Sequence, residues 1–253
     1  MIEARGLRKE YGSRAAVQGL DLTVGPGQLF GFLGPNGAGK TTTIKMLVGL
    51  LRPTAGSALL AGHDIRLDTE AAKAKVGYVP DSPVLYDKLT GREFLEFSGD
   101  LYHVERALCD RRIDTLLDIF ELRDRGADLI GGFSRGMRQK ISLAAALLHD
   151  PTVLFLDEPT VGLDPRSARL MKDVLKDFCR GERCAFVSTH ILEIAESMCS
   201  HIGIINGGSL VTTGTLAEVK AQGRPGASLE ELFLGLTGGT EGSRTGLLAA
   251  LED

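Results

Sequence analysis

A glycine-rich stretch at residues 34–41 combines residue types at a spacing that suits phosphate binding. It reads GPNGAGKT and matches the pattern G-x-x-x-x-G-K-T. Glycines let successive backbone N–H groups converge on one phosphate without Cβ clashes. The lysine reaches the outer phosphate oxygens and the threonine hydroxyl can bind Mg²⁺. We therefore expect a nucleotide to contact Gly34, Pro35, Asn36, Gly37, Ala38, Gly39, Lys40, Thr41 and Thr42, with Thr41 also a metal ligand.

Two adjacent acids and one histidine follow apolar runs further along the chain. Asp157 and Glu158 come after residues 153–156, and His190 comes after residues 184–188. An acid at a strand tip beside a phosphate loop can hold Mg²⁺, and a second acid can polarise the attacking water as a general base. Ligands of parallel α/β sheets bind at the carboxyl ends of strands. We therefore expect His190 to hydrogen-bond a γ-phosphate, and the other histidines to be structural.

The surrounding pattern predicts an α/β fold with a mostly parallel sheet. Residues 2–33 alternate short apolar runs with turn signals, which indicates several strands. The later strands are predicted at 153–156, 184–188 and 202–205. Helices are predicted at 41–51, 90–101, 106–120, 134–148, 166–178, 192–198 and 228–236. Apolar strands that alternate with helices indicate a sheet covered on both faces, into which the helical residues 83–148 are inserted.

The composition is typical of an ordinary globular protein and excludes several classes. The 253 residues are 43% hydrophobic and 25% charged, with a formal net charge of −4, which argues against a general nucleic-acid binder. The four cysteines show no C-x-x-C spacing and are expected to be reduced thiols. No apolar run suits a signal peptide or a membrane span. We expect a soluble protein that reaches a membrane only through a partner.

Five ordered motifs together resemble a known family. They are the loop at 34–41, FSRGM at 133–137, the Asp157–Glu158 pair, GLDP at 162–165 and His190. In this order and spacing they resemble the nucleotide-binding subunit of ATP-binding cassette (ABC) transporters, over nearly the whole chain. The stretches GPNGAGKTTTIKML, FSRGMRQKISLAAALLHDP and SLEELFLGLTG are similar to ABC-2-type exporter ATPases. That group includes antibiotic-resistance and polysaccharide or haem export systems.

The resemblance implies a P-loop NTPase fold of the ABC ATPase type for residues 1–239. It adds an N-terminal antiparallel β subdomain and an inserted α-helical signature subdomain to the parallel core. Residues 240–253 are expected to be a flexible tail.

The resemblance also implies roles for residues outside the phosphate loop. Residues 133–137 correspond to the signature motif, in which Ser134 and Gly136 contact the γ-phosphate bound by the other protomer of a head-to-tail dimer. Arg135 is close enough in sequence to take part. Asp164 corresponds to an aspartate that crosses the dimer interface. Tyr11 stands where the family stacks an aromatic ring on adenine.

Two positions depart from the family pattern. Asp81 follows GYVP, where the family usually has the glutamine of the Q-loop. Its carboxylate can still reach Mg²⁺ or the attacking water, but it is shorter and charged. In the signature, Arg135 replaces a glycine and Met137 a glutamine. Because Ser134 and Gly136 remain, we expect hydrolysis to persist.

These observations predict an ATPase that drives export, with ATP and Mg²⁺ as cofactors. Two bound nucleotides would close a homodimer, or a heterodimer with a paralogous subunit, and hydrolysis would reopen it. An integral membrane permease subunit would dock near residues 81–90, at the cytoplasmic face of the cell membrane, and no nucleic acid is expected as a partner. The alternatives are an importer ATPase and a soluble ABC ATPase such as a cluster-assembly type. A kinase would lack the signature motif, and a non-hydrolysing module would be expected to lose Glu158.

Overall fold

The computed structural model describes residues 1–224 and 226–238. The predicted boundary at residue 239 and the predicted tail at 240–253 lie outside this range. Within it the chain forms two β-sheets and a set of α-helices, as the alternation of apolar runs predicts. The strands are β1 (Ile2–Tyr11), β2 (Arg14–Val24), β3 (Leu29–Leu33), β4 (Ala55–Leu60), β5 (His63–Asp64), β6 (Val76–Val79), β7 (Val153–Asp157), β8 (Cys184–Thr189), β9 (His201–Asn206) and β10 (Ser209–Thr215).

Within the described residues the seven predicted helices lie near their predicted bounds with one exception, and two further helices, at 69–74 and 216–220, were not predicted. The helices are α1 (Lys40–Leu47), α2 (Thr69–Ala74), α3 (Gly91–Leu101), α4 (Arg106–Ile119), α5 (Arg135–Leu148), α6 (Pro165–Phe178), α7 (Leu192–Met198), α8 (Leu216–Lys220) and α9 (Leu229–Thr237). The exception is α1, since the helix predicted at 41–51 ends at Leu47. Gly49 then takes a φ of +70°, a left-handed conformation that stops the helix before Pro53 is reached.

The larger sheet is mostly parallel and has the strand order β10-β9-β3-β8-β7-β6. Its strands β9, β3, β8, β7 and β6 pair in parallel, and β10 adds to the edge as the antiparallel partner of β9. The smaller sheet is antiparallel, with the order β2-β1-β4-β5. The predicted mostly parallel core with an N-terminal antiparallel part is therefore confirmed.

Two apolar layers hold these elements together. One lies between the two sheets and α1, and centres on Phe186, which stacks on Phe30 at 5.4 Å and packs against Phe155 at 5.4 Å. The other lies on the opposite face of the parallel sheet and continues into α3, α4 and α5. The parallel strands are consequently buried on both faces, which explains why they read as unbroken apolar runs.

Helices α3 and α5 each begin at a capping residue that can be recognised in the sequence. Thr90 caps α3 in a reciprocal capping box with Glu93. Ser134 caps α5, and its hydroxyl accepts a hydrogen bond from the Met137 N–H at 3.3 Å. Ser134 and the first residue of α5 lie at the surface.

The four cysteines are buried thiols, as their spacing predicts. Burial raises the pKa of Cys179 to about 11 and the pKa values of Cys184 and Cys199 to about 12. At neutral pH these groups are therefore protonated and pack as small apolar side chains.

His149 ties the end of α5 to the parallel sheet and to α3. Its ring stacks on Tyr102 at a centroid distance of 3.7 Å, and its Nε2 donates to the Val76 carbonyl oxygen at 3.1 Å. Burial lowers the pKa of His149 to about 4, although the bond to Val76 acts in the opposite direction. An unfolded histidine titrates near pH 6.5. Between these two values the unfolded chain binds a proton that the folded chain excludes, so the free energy of unfolding falls as the pH falls through this window.

Replacing His149 by phenylalanine should remove this pH-dependent loss while it keeps the stack on Tyr102. Between pH 7 and pH 5 we expect the free energy of unfolding of the variant to fall by about 1–2 kcal/mol less than that of the parent. Urea unfolding at the two pH values measures the difference. The matched control is His103→Asn at an exposed histidine with φ +54°, which should leave the pH slope unchanged. If the free energy of unfolding changed equally with pH in His149→Phe and in the parent, the role assigned to His149 would be contradicted.

Candidate functional site

The glycine-rich loop connects β3 to α1 and is shaped by its close neighbours. An added Cβ at Gly34 would lie 2.5 Å from the Ile205 carbonyl oxygen of β9, so only glycine fits there. Gly39 has a φ of +111° and passes equally close to the Ala16 carbonyl oxygen. Gly39 is also the N-cap of α1 and gives it no side-chain cap. The first N–H groups of α1 thus face the loop, an arrangement that suits an anion.

Lys40 is the central cation of the site. Its side chain runs back under the loop, and only 6% of the residue is exposed. Its Nζ donates to the Gly34 carbonyl oxygen at 2.7 Å and lies 3.4 Å from Oε1 of Glu158. The sheet order places β3 and β7 on either side of β8, so the loop after β3 and the acids at the end of β7 share one edge.

The two predicted acids have different surroundings. Asp157 is almost fully buried and accepts a hydrogen bond from the hydroxyl of Ser188, the residue opposite it on β8. Glu158 has a φ of +50°, which is strained for a residue with a side chain. Its N–H donates to both the carbonyl oxygen and the hydroxyl oxygen of Ser188, at 3.1 and 3.2 Å. Ser188 therefore fixes the turn that points Glu158 toward the loop.

His190 joins the same group of side chains. Its Nδ1 lies 3.0 Å from Oε2 of Glu158, and the ring is partly exposed. The structure thus brings Lys40, Glu158 and His190 into one chain of contacts, in which the carboxylate lies between the Lys40 ammonium and the His190 ring. Ser188 is the residue that sequence reasoning missed, and its signal was a polar residue inside the apolar run of β8.

An open cleft lies above the loop, and eight of the predicted site residues line it. Asp81 lines it from the segment that follows β6, together with Glu158 and the start of α1. Within the described part of the chain, its lining is Ala16, Asn36, Gly37, Gly39, Lys40, Thr41, Thr42, Asp81 and Glu158. The oxygen donors of Thr41, Asp81 and the nearby Asp157 have the chemistry that Mg²⁺ prefers.

The remaining predicted residues lie outside this cleft. Tyr11 is exposed at the end of β1, and the ammonium of Lys9 lies 5.3 Å from its ring centre. Ser134 and Arg135 form the exposed start of α5, and Gly136 follows them, half-buried. Asp164 caps α6 and accepts hydrogen bonds from the N–H and the hydroxyl of Ser167 at 2.9 and 2.7 Å. These bonds lower the pKa of Asp164, which keeps it a carboxylate.

Comparison with known proteins gives consistent similarities. The sequence pattern of the family described as "ABC transporter" matches residues 17–161. The chain is 39% identical to the daunorubicin resistance ATP-binding protein DrrA3 of Streptomyces coeruleorubidus, over 87% of this chain and 70% of that protein. It is 38% identical to the Nod factor export ATP-binding protein I of Cupriavidus pinatubonensis (strain JMP 134 / LMG 1197), over 85% of this chain and 66% of that protein. A solved structure described as the ATP binding subunit of an ABC transporter has 33% identity and a TM-score of 0.88, and covers 93% of this chain and 99% of its own.

Lys40→Ala is expected to abolish nucleotide binding, because it removes the buried cation of the loop and leaves Glu158 facing the phosphate site. Titration with a fluorescent ATP analogue should show an affinity loss of at least about tenfold, on the scale of a charge-assisted phosphate contact. The matched control is Lys45→Ala, an exposed lysine on the same helix, which should bind like the parent. Undiminished binding by Lys40→Ala would contradict the phosphate site.

Proposed function

The chain belongs to the ABC transporter family as an ATP-binding subunit of its exporter branch that hydrolyses ATP, and from this premise we propose that two subunits close around two ATP molecules to drive export through a membrane partner. One observation carries the dimer. The start of α5, with Ser134, is exposed and stands apart from the cleft that Lys40 and Glu158 line in the described residues. Because the start of α5 lies away from the cleft of its own subunit, it is free to contact the cleft of a second subunit.

Lys40 and Glu158 hold each other in the chain without nucleotide, and ATP would separate them. The γ-phosphate competes for the Lys40 ammonium, which now lies 3.4 Å from the carboxylate. Glu158 is then available to accept a proton from the attacking water, and His190 contacts its other oxygen at 3.0 Å. The Ser188 bonds keep the strained turn at Glu158 in place during this exchange.

Mg²⁺ supplies charge neutralisation of the phosphates when it enters with ATP. In this proposal Thr41 and Asp157 hold it, and Asp81 adds a carboxylate from the far wall of the cleft. Tyr11 stacks on the adenine from its exposed position at the end of β1. Ser134, Arg135, Gly136 and Asp164 act on the nucleotide of the opposite subunit, which is a second copy or a paralogous ATPase.

An apolar surface beside the cleft supports docking of a permease. Val84 is 90% exposed and Tyr86 is 56% exposed, in the segment 81–90 that follows Asp81. The Tyr86 ring packs edge-on against Phe97 of α3 at 5.4 Å, so the surface has a rigid base. In residues 1–224 and 226–238 we find no helix that could cross a membrane. We place the subunit at the cytoplasmic face of the cell membrane, held there by an integral membrane permease that meets this surface.

Glu158→Gln tests the dimer. The amide cannot act as the general base but keeps the shape of the side chain, so ATP should remain bound and hold two subunits together. Size-exclusion chromatography with light scattering should show a dimer with MgATP and a monomer with MgADP. The double variant Lys40→Ala/Glu158→Gln should stay monomeric in both. A monomeric Glu158→Gln with MgATP would remove the main support of the sandwich arrangement.

Val84→Asp/Tyr86→Asp tests the permease surface. Both residues are exposed, so the charges should leave folding and ATP binding intact while they disfavour an apolar contact. Pull-down of the tagged chain from detergent extracts of its host should recover a protein with about six apolar spans, and the double variant should recover much less of it. The control is Val211→Asp, an exposed apolar residue of β10 at the other edge of the parallel sheet. Equal recovery with the double variant and the parent would place the docking surface elsewhere.

A further inference from the structure

The start of α5 packs against residues 162–167, the segment between β7 and the first turn of α6. An added Cβ at Gly162 would lie 3.0 Å from Cζ and Nε of Arg135, so the guanidinium rests directly on that glycine. An added Cβ at Gly136 would lie 3.7 Å from Oγ of Ser167 and 3.9 Å from Oδ2 of Asp164. Two segments with proposed roles toward a second subunit are therefore in contact within one chain.

The carboxylate of Glu121 contacts both α5 and the first turn of α6 and so bridges them. Oε1 of Glu121 accepts a hydrogen bond from Nη2 of Arg166 in the first turn of α6, at 2.5 Å. Its Oε2 lies 3.7 Å from Nζ of Lys140 on α5. The Lys140 side chain is only 11% exposed and needs a compensating negative charge there. The hydrogen bond from Arg166 also lowers the pKa of Glu121, so the bridge is ionised at neutral pH.

The backbone at Glu121 favours a different residue type. Glu121 follows the end of α4 and has a φ of +57°, while the Leu122 N–H donates to the Leu117 carbonyl oxygen at 2.8 Å. This is the left-handed helix ending at which glycine is favoured. A long charged side chain at such a position does nothing for the turn itself. The Glu121 side chain therefore acts through the two cations that it contacts, Arg166 and Lys140.

We propose that Glu121 is a positioning residue that joins α5 to residues 162–167, so that Ser134 and Asp164 enter the ATP site of the second subunit as one rigid unit. This rests on the proposed ATP-bound dimer. The bridge joins the inserted helices to the segment that follows the catalytic acids. The ion pair of Glu121 with Arg166 is exposed and contributes little to global stability. The effect of Glu121 should therefore appear in the relative placement of the two segments and in dimer closure.

The main test is Glu121→Gly in the full-length Glu158→Gln background. Glycine relieves the backbone at φ +57° but leaves the nearly buried Lys140 ammonium without its carboxylate, so these two effects on the melting temperature oppose each other. Nucleotide affinity of the monomer should be unchanged. The ATP-dependent dimer should weaken roughly fivefold by analytical ultracentrifugation, because a symmetric dimer loses the positioning contact twice. A merely structural Glu121 would leave the ATP-dependent dimer of the folded variant unchanged, and this result would overturn the proposal.

Asp150 offers a matched control at the other end of α5. It also follows a helix end with a φ of +62° and contacts two arginines, Arg112 and Arg183. Asp150→Gly therefore makes the same relief of strain and the same loss of a double ion pair, away from residues 162–167. It should leave the dimerisation constant unchanged. An equal loss of dimer in Asp150→Gly and Glu121→Gly would overturn a specific role for Glu121.

Two further measurements separate this inference from the proposed function. In a double-mutant cycle, Glu121→Gln and Arg166→Gln combined should weaken the dimer no more than the worse single variant, whereas additive effects would contradict the bridge. In the nucleotide-free monomer, amide hydrogen exchange at residues 134–137 and 162–167 should rise together in Glu121→Gly, and unchanged exchange would contradict it. The exchange measurement does not need a dimer. A monomeric Glu158→Gln parent would thus count against the proposed function alone.

Discussion

The structure depends on placing one nearly buried ammonium, that of Lys40, beside the end of a parallel sheet. A cation with 6% exposure must be matched by acceptors, and here they are the Gly34 carbonyl oxygen and the Glu158 carboxylate. Gly34 belongs to the loop after β3 and Glu158 to the turn after β7. The contact with Glu158 exists only if β3 and β7 lie on the two sides of β8 with their carboxyl ends at the same edge. The apolar layers on both faces of the sheet fix that order, and the site follows from it.

The sequence predicts the strongly patterned elements well. The helix predicted at 134–148 is found as Arg135–Leu148 with Ser134 as its cap. This prediction succeeds because the apolar period and the cap residue both lie within the segment itself. The α/β architecture and the membership of the ABC transporter family are confirmed. The end of α1 was wrong by four residues, because the left-handed conformation of Gly49 is not distinguishable in sequence from an ordinary helical glycine. Strand β6 was not predicted, since four residues between a helix and a loop leave too short a pattern.

Contacts made by residues distant in sequence account for what could not be predicted in the site. Ser188 is 30 residues from Glu158, and only the register of β7 with β8 sets it opposite Asp157 and beside the strained turn. The strain itself is invisible in the sequence, because nothing local requires Glu158 to take a φ of +50°. The roles of Tyr11, Asp81 and the start of α5 toward a nucleotide stay predictions, since each needs a ligand or a second subunit to be realised.

The cations at the start of α5 are explained by the acids and glycines around them. Helix N-termini disfavour cations, yet Arg135, Arg138 and Lys140 fall in the first two turns. Arg138 donates to the Asp87 carboxylate at 2.7 Å, and Lys140 lies near Glu121. The Arg135 guanidinium turns back onto Gly162. The charged group of each of these side chains thus contacts a residue outside α5. The exposed start of α5 therefore presents the Ser134 hydroxyl and the partial positive charge of the first backbone N–H groups. A helix start of that kind suits an anion that arrives from outside the chain.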